Sequence, residues 1–223
     1  MVTYPNINLV QPDKKKIRTA DPVTINRVAK RIFDLCVAGF VSVAVLLWLI
    51  PLLGVLIKLS SPGPVMFVQL RTGRNGRQFP CLKLRTMIHR KEGEAEFEQA
   101  RKNDSRVTRI GRILRKTNLD EVPQFLNVLA GHMSIVGPRP HPIPLDAEHW
   151  HTLPGYKERY AIKPGITGLA QVRGARGETR ELHKMQMRVR YDHFYIRRQT
   201  PWLDAKICWW TVTAAAKGNK NAW

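Results

Sequence analysis

Residues 30–58 read KRIFDLCVAGFVSVAVLLWLIPLLGVLIK. Lys30, Arg31 and Asp34 are the last charges before an apolar run from Leu35 to Ile57, and Lys58 closes it. The run exceeds the roughly 18 residues that mark a membrane helix, and it lies too far inside the chain for a signal peptide. A buried helix of a soluble protein is the alternative. Basic residues stand on both sides, Arg27, Lys30 and Arg31 before, Lys58, Arg71 and Arg74 after. Since Lys and Arg mark cytoplasmic flanks, one straight crossing breaks the rule at one end. Pro51 interrupts the run and removes a backbone donor. A helix that enters, bends near Pro51 and returns to the same face reconciles charge with apolarity, provided the freed backbone groups are satisfied inside the protein.

Working outward, the 223 residues suffice for one compact domain, or two small ones, with a buried core. Lys and Arg number 37 against 17 Asp and Glu, a formal net charge of +20. Such a charge implies a polyanionic partner: nucleic acid, anionic lipid or a phosphorylated substrate. Cys36, Cys81 and Cys208 have no Cys-x-x-Cys spacing, so neither a disulfide framework nor a zinc site is indicated, and a reducing cytoplasmic face fits. Residues 1–24 are polar and proline-bearing and carry Lys14-Lys15-Lys16-Ile17-Arg18, which reads as a flexible arm, either solvated or drawn to anionic headgroups.

Beyond Ser60-Ser61-Pro62-Gly63-Pro64 the pattern turns to strands. Val65 to Leu70 and Gln78 to Met87 flank Gly73-Arg74-Asn75-Gly76, whose Asn-Gly pair predicts a tight hairpin. Side chains alternate at period two, so Lys83 and Arg85 share a strand face, either as a phosphate site or as a solvated surface. Glu92, Glu94, Glu96 and Glu98 read as a solvated face. From Ser105 to Lys116, arginines at 106, 109, 112 and 115 surround Ile110, Ile113 and Leu114, the pattern of a basic amphipathic helix lying on a membrane or, alternatively, on nucleic acid.

The stretch Asn118-Leu119-Asp120-Glu121-Val122-Pro123-Gln124 places two adjacent carboxylates at a helix start. The N-cap falls on Thr117 or Asn118, with Glu121 completing a capping box, or on Asp120 itself. Val122, Phe125, Leu126 and Leu129 form a core face, and Asp120, Gln124 and Asn127 fall opposite. The helix dipole favours ionised carboxylates there by roughly 0.3–1 kcal/mol, which suits a nucleophile or a ligand for a divalent cation. Capping alone is the alternative.

Further on, Gly137-Pro138-Arg139-Pro140 holds Arg139 between two prolines, so its guanidinium has little entropy to lose on meeting a phosphate. His149 and His151 read as surface histidines. In Lys163-Pro164-Gly165-Ile166-Thr167-Gly168 the glycines let the backbone approach a ligand. A helix from Glu181 to Arg198 turns Leu182, Met185, Val189 and Ile196 inward, and one after Pro201 aligns Leu203, Ile207, Trp210 and Ala214. Trp202, Trp209 and Trp210 are placed either at a membrane interface or in a core.

Together, Lys-Arg-Ile-Phe-Asp, the apolar run, Lys-Leu-Arg-Thr-Met, Leu-Asp-Glu-Val-Pro-Gln, Gly-Pro-Arg-Pro and Pro-Gly-Ile-Thr-Gly resemble the bacterial sugar transferases, the monotopic phosphoglycosyl transferases, over about Arg27 to Ala216. The resemblance implies an α+β monotopic membrane protein with one re-entrant, Pro51-broken helix, amphipathic interfacial helices and a small β-hairpin. It implies transfer of a hexose 1-phosphate from a UDP-sugar to polyprenol phosphate with release of UMP. It makes Asp120 the nucleophile and Mg2+ ligand, with Glu121 beside it, and gives the phosphates to Lys83 and Arg139, with Arg85 next to Lys83. Arg176-Gly177-Glu178-Thr179 and Gly-Pro-Arg-Pro-His look most like the undecaprenyl-phosphate glucose phosphotransferases of exopolysaccharide synthesis. UDP-glucose is therefore the first donor and UDP-galactose the second. The chain departs from the family in Ile50-Pro51 where Ser-Pro is frequent, in Asn118 for Ser, and in Leu169 and Arg173 for Trp and Asn. The short arm is expected to leave no room for the four extra membrane helices of larger members.

The expected organisation is a basic arm over 1–24, a re-entrant membrane helix over 25–59, a cytoplasmic catalytic domain over 60–216 and a tail over 217–223. The enzyme is expected at the cytoplasmic face of the bacterial inner membrane, with anionic lipids as partners and without nucleic acid. The rivals are a membrane-tethered nucleic-acid-binding protein, for which no aromatic stacking or helix-turn-helix signature is present, and a non-catalytic adaptor of a polysaccharide assembly complex. Oligomeric state is left open.

Overall fold

The computed structural model describes residues 27–89, 100, 104–175, 177 and 182–217. The basic arm over 1–24, the four glutamates from Glu92 to Glu98, all of Arg176–Thr179 but Gly177, and the tail beyond Lys217 lie outside the described residues.

The apolar run forms one helix, Arg27–Ser60, long and apolar enough to cross a membrane. It comprises α1 (Arg27–Val41), a π turn (Ser42–Leu46) and α2 (Leu47–Ser60), with Pro51 inside α2. Phe40 is 72% exposed and Leu47 70%, and Trp48, Leu52 and Val55 are exposed with them, so the helix turns its apolar middle outward instead of into a core. Both ends are tied to the body that follows. Near the start, Arg31 Nη1 and Nη2 donate to the carbonyls of Val128 at 2.7 Å and Leu129 at 3.0 Å. Buried Asp34 accepts from Ser134 Oγ at 2.9 Å and Ile135 N at 3.0 Å, and Lys30 bridges Asp34 and Asp204. At the far end Leu53 and Ile57 join Leu84 and Leu114 in a small core. A straight helix of this length runs about 50 Å, more than the roughly 30 Å of bilayer hydrocarbon.

Among the described residues the body is α+β with two small sheets. Strands β1 (Met66–Thr72) and β2 (Gln78–Leu84) form the predicted antiparallel hairpin, Phe67 facing Lys83. Its turn is wider than a two-residue turn: Gly73 N donates to Arg77 O at 2.7 Å, with Asn75 (φ 56°) and Gly76 (φ 77°) in the left-handed region, which Asn and Gly tolerate. Strands β3 (Ser134–Val136) and β4 (Gly165–Thr167) pair in parallel. Their glycines let two backbones approach closely: a Cβ on Gly165 would stand 2.1 Å from Gly137 N.

The helices of the body are α3 (Arg109–Thr117), α4 (Gln124–Leu129), α5 (Ile143–His149), α6 (Leu169–Val172), α7 (Leu182–Arg198) and α8 (Pro201–Ala216). Helix α3 begins four residues later than Ser105 because Thr108 Oγ1 caps it, accepting from Gly111 N at 2.9 Å. A Cβ on Gly111 would lie 1.9 Å from Thr86 O, so α3 sits backbone to backbone on the chain leaving β2. Ile110 and Leu114 pack inward, and Ile113 faces out. The main core gathers Ala38, Phe79, Cys81, Val128, Met133, Val136, Tyr195 and Ile207 from six elements and the turn before β3, and Leu203 and Trp210 pack on it from α8. The tryptophans divide: Trp202 and Trp209 are exposed, and Trp210 is half-buried beneath the Arg173 guanidinium at 4.8 Å. In α7, Met185, Val189 and Ile196 are buried as expected, but Leu182 at the helix start is exposed. His149 is buried beside Tyr156, contrary to the surface reading, and His151 is exposed.

Candidate active site

The Asp-Glu pair does not open a long helix. Asn118 ends α3 in the left-handed region (φ 57°), and Leu119–Glu121 form one 3-10 turn ahead of α4. With α4 only six residues long, a helix dipole gives these acids little. What governs them is burial and neighbours. The amphipathic reading of α4 holds only in part: Phe125 and Leu129 pack half-buried on the main core, but Leu126 is exposed, and Gln124 and Asn127 on the other face are buried. The cause is Asn127, whose Oδ1 accepts from Leu82 N at 2.9 Å and whose Nδ2 donates to Pro80 O at 2.7 Å. The polar face thus serves strand β2, and part of the apolar face is left outward.

Two of the three expected phosphate cations meet at Glu121. Lys83 Nζ lies 2.7 Å from Glu121 Oε1, Arg139 Nη1 donates to Oε2 at 2.9 Å, and Arg139 Nη2 donates to Oε1. The Arg139–carboxylate pair is thus a two-pronged fork, the strong form of such contacts. Arg85 does not join them. Its guanidinium donates to Ser61 O at 2.6 Å and Pro62 O at 2.9 Å, closing the turn after α2. Strand β2 ends at Leu84, so Arg85 no longer alternates with Lys83, and the shared strand face gives way to a structural contact.

Adjacent in sequence, the two acids are electrostatic opposites. Burial works to raise the Glu121 pKa, but Arg139 and Lys83 overcome it and hold the carboxyl well below the usual range. Asp120, 8% exposed, is raised to about 6, first by burial and then by the Glu121 charge, against the pull of Lys83, Arg115 and Arg139. Among the described residues nothing donates a hydrogen bond to its carboxyl. It is the acid with lone pairs to spare. No group of three or more His, Cys, Asp or Glu gathers among the described residues, and a divalent cation held here would have the one open carboxylate of Asp120 as its ligand. That suits Mg2+, which binds through one or two carboxylates together with substrate phosphates.

The Arg139 segment is held from behind by residues the sequence did not single out. Arg71 Nη1 donates to Pro140 O at 2.8 Å, and Arg159 Nη2 to Arg139 O at 3.0 Å. Arg159 is fully buried and paired with Asp192 at 2.9 Å. His141 stands 2.7 Å from Arg159 Nη1 and 3.0 Å from Arg188 Nη1, and burial together with Arg159, Arg188, Arg71 and Arg139 keeps it neutral. In sequence Arg71 stands only as a flank of the apolar run and Arg159 and Arg188 have no assigned role, and the fold buries all three. Arg115 from α3, bonded to Thr86 Oγ1 at 2.9 Å, adds to the positive field on Asp120.

A buried, under-bonded carboxylate thus lies beside an ion-paired carboxylate and its two cations, on a body tied to a long apolar helix. The chain belongs to the bacterial sugar transferase family, whose model matches residues 25–218. It is 47% identical over 191 residues to the UDP-glucose:undecaprenyl-phosphate glucose-1-phosphate transferase of Klebsiella pneumoniae, covering 84% of this chain and 40% of that protein. It is 45% identical over 200 residues to the exopolysaccharide production protein PSS of Rhizobium leguminosarum bv. phaseoli, covering 87% of this chain and 98% of the relative. The UDP-galactose-lipid carrier transferase of Erwinia amylovora is 38% identical over 210 residues, 86% of this chain and 41% of its own length. The chain therefore spans less than half of the Klebsiella and Erwinia proteins and nearly the whole of the Rhizobium one.

Proposed function

We propose that the protein is a phosphoglycosyl transferase that moves a hexose 1-phosphate from a UDP-sugar to undecaprenyl phosphate with release of UMP, the opening step of exopolysaccharide assembly. UDP-glucose is the first-choice donor and UDP-galactose the second, in line with the activities for which the Klebsiella and Erwinia relatives are named. The observation that carries the reading is the division of labour at the Asp120–Glu121 pair, one carboxylate consumed by Lys83 and Arg139, the other open.

In this mechanism an Asp120 carboxylate oxygen attacks the β-phosphorus of the UDP-sugar. The new P–O bond forms as the bond to the bridging oxygen breaks, and UMP leaves with that electron pair. A phosphate oxygen of undecaprenyl phosphate then attacks the same phosphorus, giving the lipid diphosphate sugar and returning Asp120 as carboxylate. Splitting one displacement into two easier ones is the gain of a covalent route. Lys83 and Arg139, oriented by Glu121, stabilise charge on the transferring group. Asp120 is also the residue to hold Mg2+, which supplies further neutralisation of phosphate charge when bound.

The re-entrant course of the apolar helix, at the cytoplasmic face of the inner membrane, is supported by its attachment at both ends to one body. The π turn and Pro51 are each devices that bend helices. An outward apolar surface and the +20 charge suit anionic lipid as a partner.

The test omits the acceptor. Protein incubated with UDP-glucose and Mg2+ alone is expected to release UMP in an amount comparable to the enzyme and to carry a phosphohexose on Asp120 by mass spectrometry. Neither product, from protein that turns over once undecaprenyl phosphate is added, would establish direct transfer and defeat the covalent route.

A further inference from the structure

A second cationic site lies at the C-terminal end of α4, where the apolar helix begins. Gly131 (φ 83°) has no side chain there, and the position a Cβ would take lies 3.7 Å from Arg31 Nη2 and 3.7 Å from Lys163 Nζ. One small anion at that point touches both. Arg31 is fixed in place by its bonds to Val128 O and Leu129 O, which use two of the five donors of a guanidinium. Lys163 is half-buried, and its pKa is lowered by burial and then by the charges of Arg31 and Arg74, with only Asp34 opposing. Asp34 is committed to Ser134, Ile135 and Lys30. Two cations thus face one notch without a carboxylate between them. The depth identifies the anion: Arg31 precedes the apolar run at Leu35 by one helical turn, and Val28 and Ile32 beside it are exposed. That is the level of lipid headgroups for a helix that enters a bilayer here.

We propose that Arg31 and Lys163, with the exposed Arg74 close by, form a binding site for the phosphodiester headgroup of an anionic phospholipid, separate from the transfer site at Glu121. This rests on the membrane reading of the apolar helix given above.

The test uses the full chain in phosphatidylcholine nanodiscs doped with phosphatidylglycerol, with retained phosphatidylglycerol counted by native mass spectrometry. Wild type and Lys163→Arg are expected to retain it, and Lys163→Gln to hold it about fivefold more weakly, the worth of one charge near a membrane surface. Arg74→Gln, an exposed change that leaves the fold alone, is expected to weaken it by a smaller factor in the same direction. Sodium phosphate is expected to displace no more lipid than sodium chloride at equal ionic strength. Equal retention by Lys163→Gln, or selective displacement by inorganic phosphate, would overturn the lipid site. Flotation with pure phosphatidylcholine vesicles separates the two readings: wild type that does not float breaks the membrane reading and the site with it, whereas flotation with equal retention breaks the site alone.

Discussion

Two buried clusters of arginine and carboxylate lie back to back in this protein, and they differ in what they leave unsatisfied. Around Asp146 and Asp192 each acid has donors on one oxygen: Asp146 Oδ1 accepts from the Tyr156 and Tyr160 hydroxyls, and Asp192 Oδ2 takes the Arg159 guanidinium at 2.9 Å, while Asp146 Oδ2 has no partner but is sealed from solvent. Around Glu121 the same chemistry satisfies one acid and leaves its neighbour Asp120 without a donor. The first cluster encloses its spare oxygen completely, and the second leaves Asp120 partly open, as the proposed nucleophile requires. Arg159 joins them, donating from the closed cluster to the carbonyl of Arg139 in the open one.

The sharpest way to break this comparison is Asp120→Asn. It is expected to abolish sugar-phosphate transfer, since an amide is a poor nucleophile, yet to stabilise the fold. The Asp120 pKa is raised from 3.8 to about 6, so its contribution to stability is complete below about pH 4 and lost as pH rises through about 6. Removing the charge restores on the order of 1–3 kcal/mol at neutral pH, read as a higher Tm. A lower Tm would place Asp120 among the structural acids.

Arg159→Met makes the opposite cut. It strands Asp192 as an unpaired buried charge, and a loss of about 3–5 kcal/mol is expected by denaturant titration. A small stability change with a large fall in turnover would move Arg159 from the structural cluster to the catalytic one.

The gentlest discrimination is the pH profile. As Asp120 must be ionised to attack, kcat/KM is expected to fall about tenfold per pH unit below about 6, while Glu121, held low by Arg139 and Lys83, adds no second step nearby. Activity and the Asp120 contribution to stability thus run in opposite directions across the same window. A profile flat down to pH 4.5 would remove Asp120 from the nucleophile's role.

Much of this was legible in the chain itself. Local signals carried it: an unbroken apolar run, alternation around Asn75-Gly76, and functional groups crowded into Leu-Asp-Glu-Val-Pro-Gln and Gly-Pro-Arg-Pro. Each depends on neighbours a few residues away, so the long apolar helix and the hairpin follow from sequence alone, whereas Lys83, the Asp120–Glu121 pair and Arg139 are singled out together only through the family resemblance. The tertiary structure decided where each side chain spends its polarity. It sent Arg85 to the carbonyls after α2 and Lys83 to Glu121, because β2 ends between them. It turned the polar face of α4 inward, because Asn127 satisfies a strand edge more than 40 residues earlier, and periodicity locates an apolar face without saying whether core or membrane covers it. It also made Asp120 the open acid of two otherwise equivalent ones, a distinction that depends on cations 18 and 38 residues from Glu121.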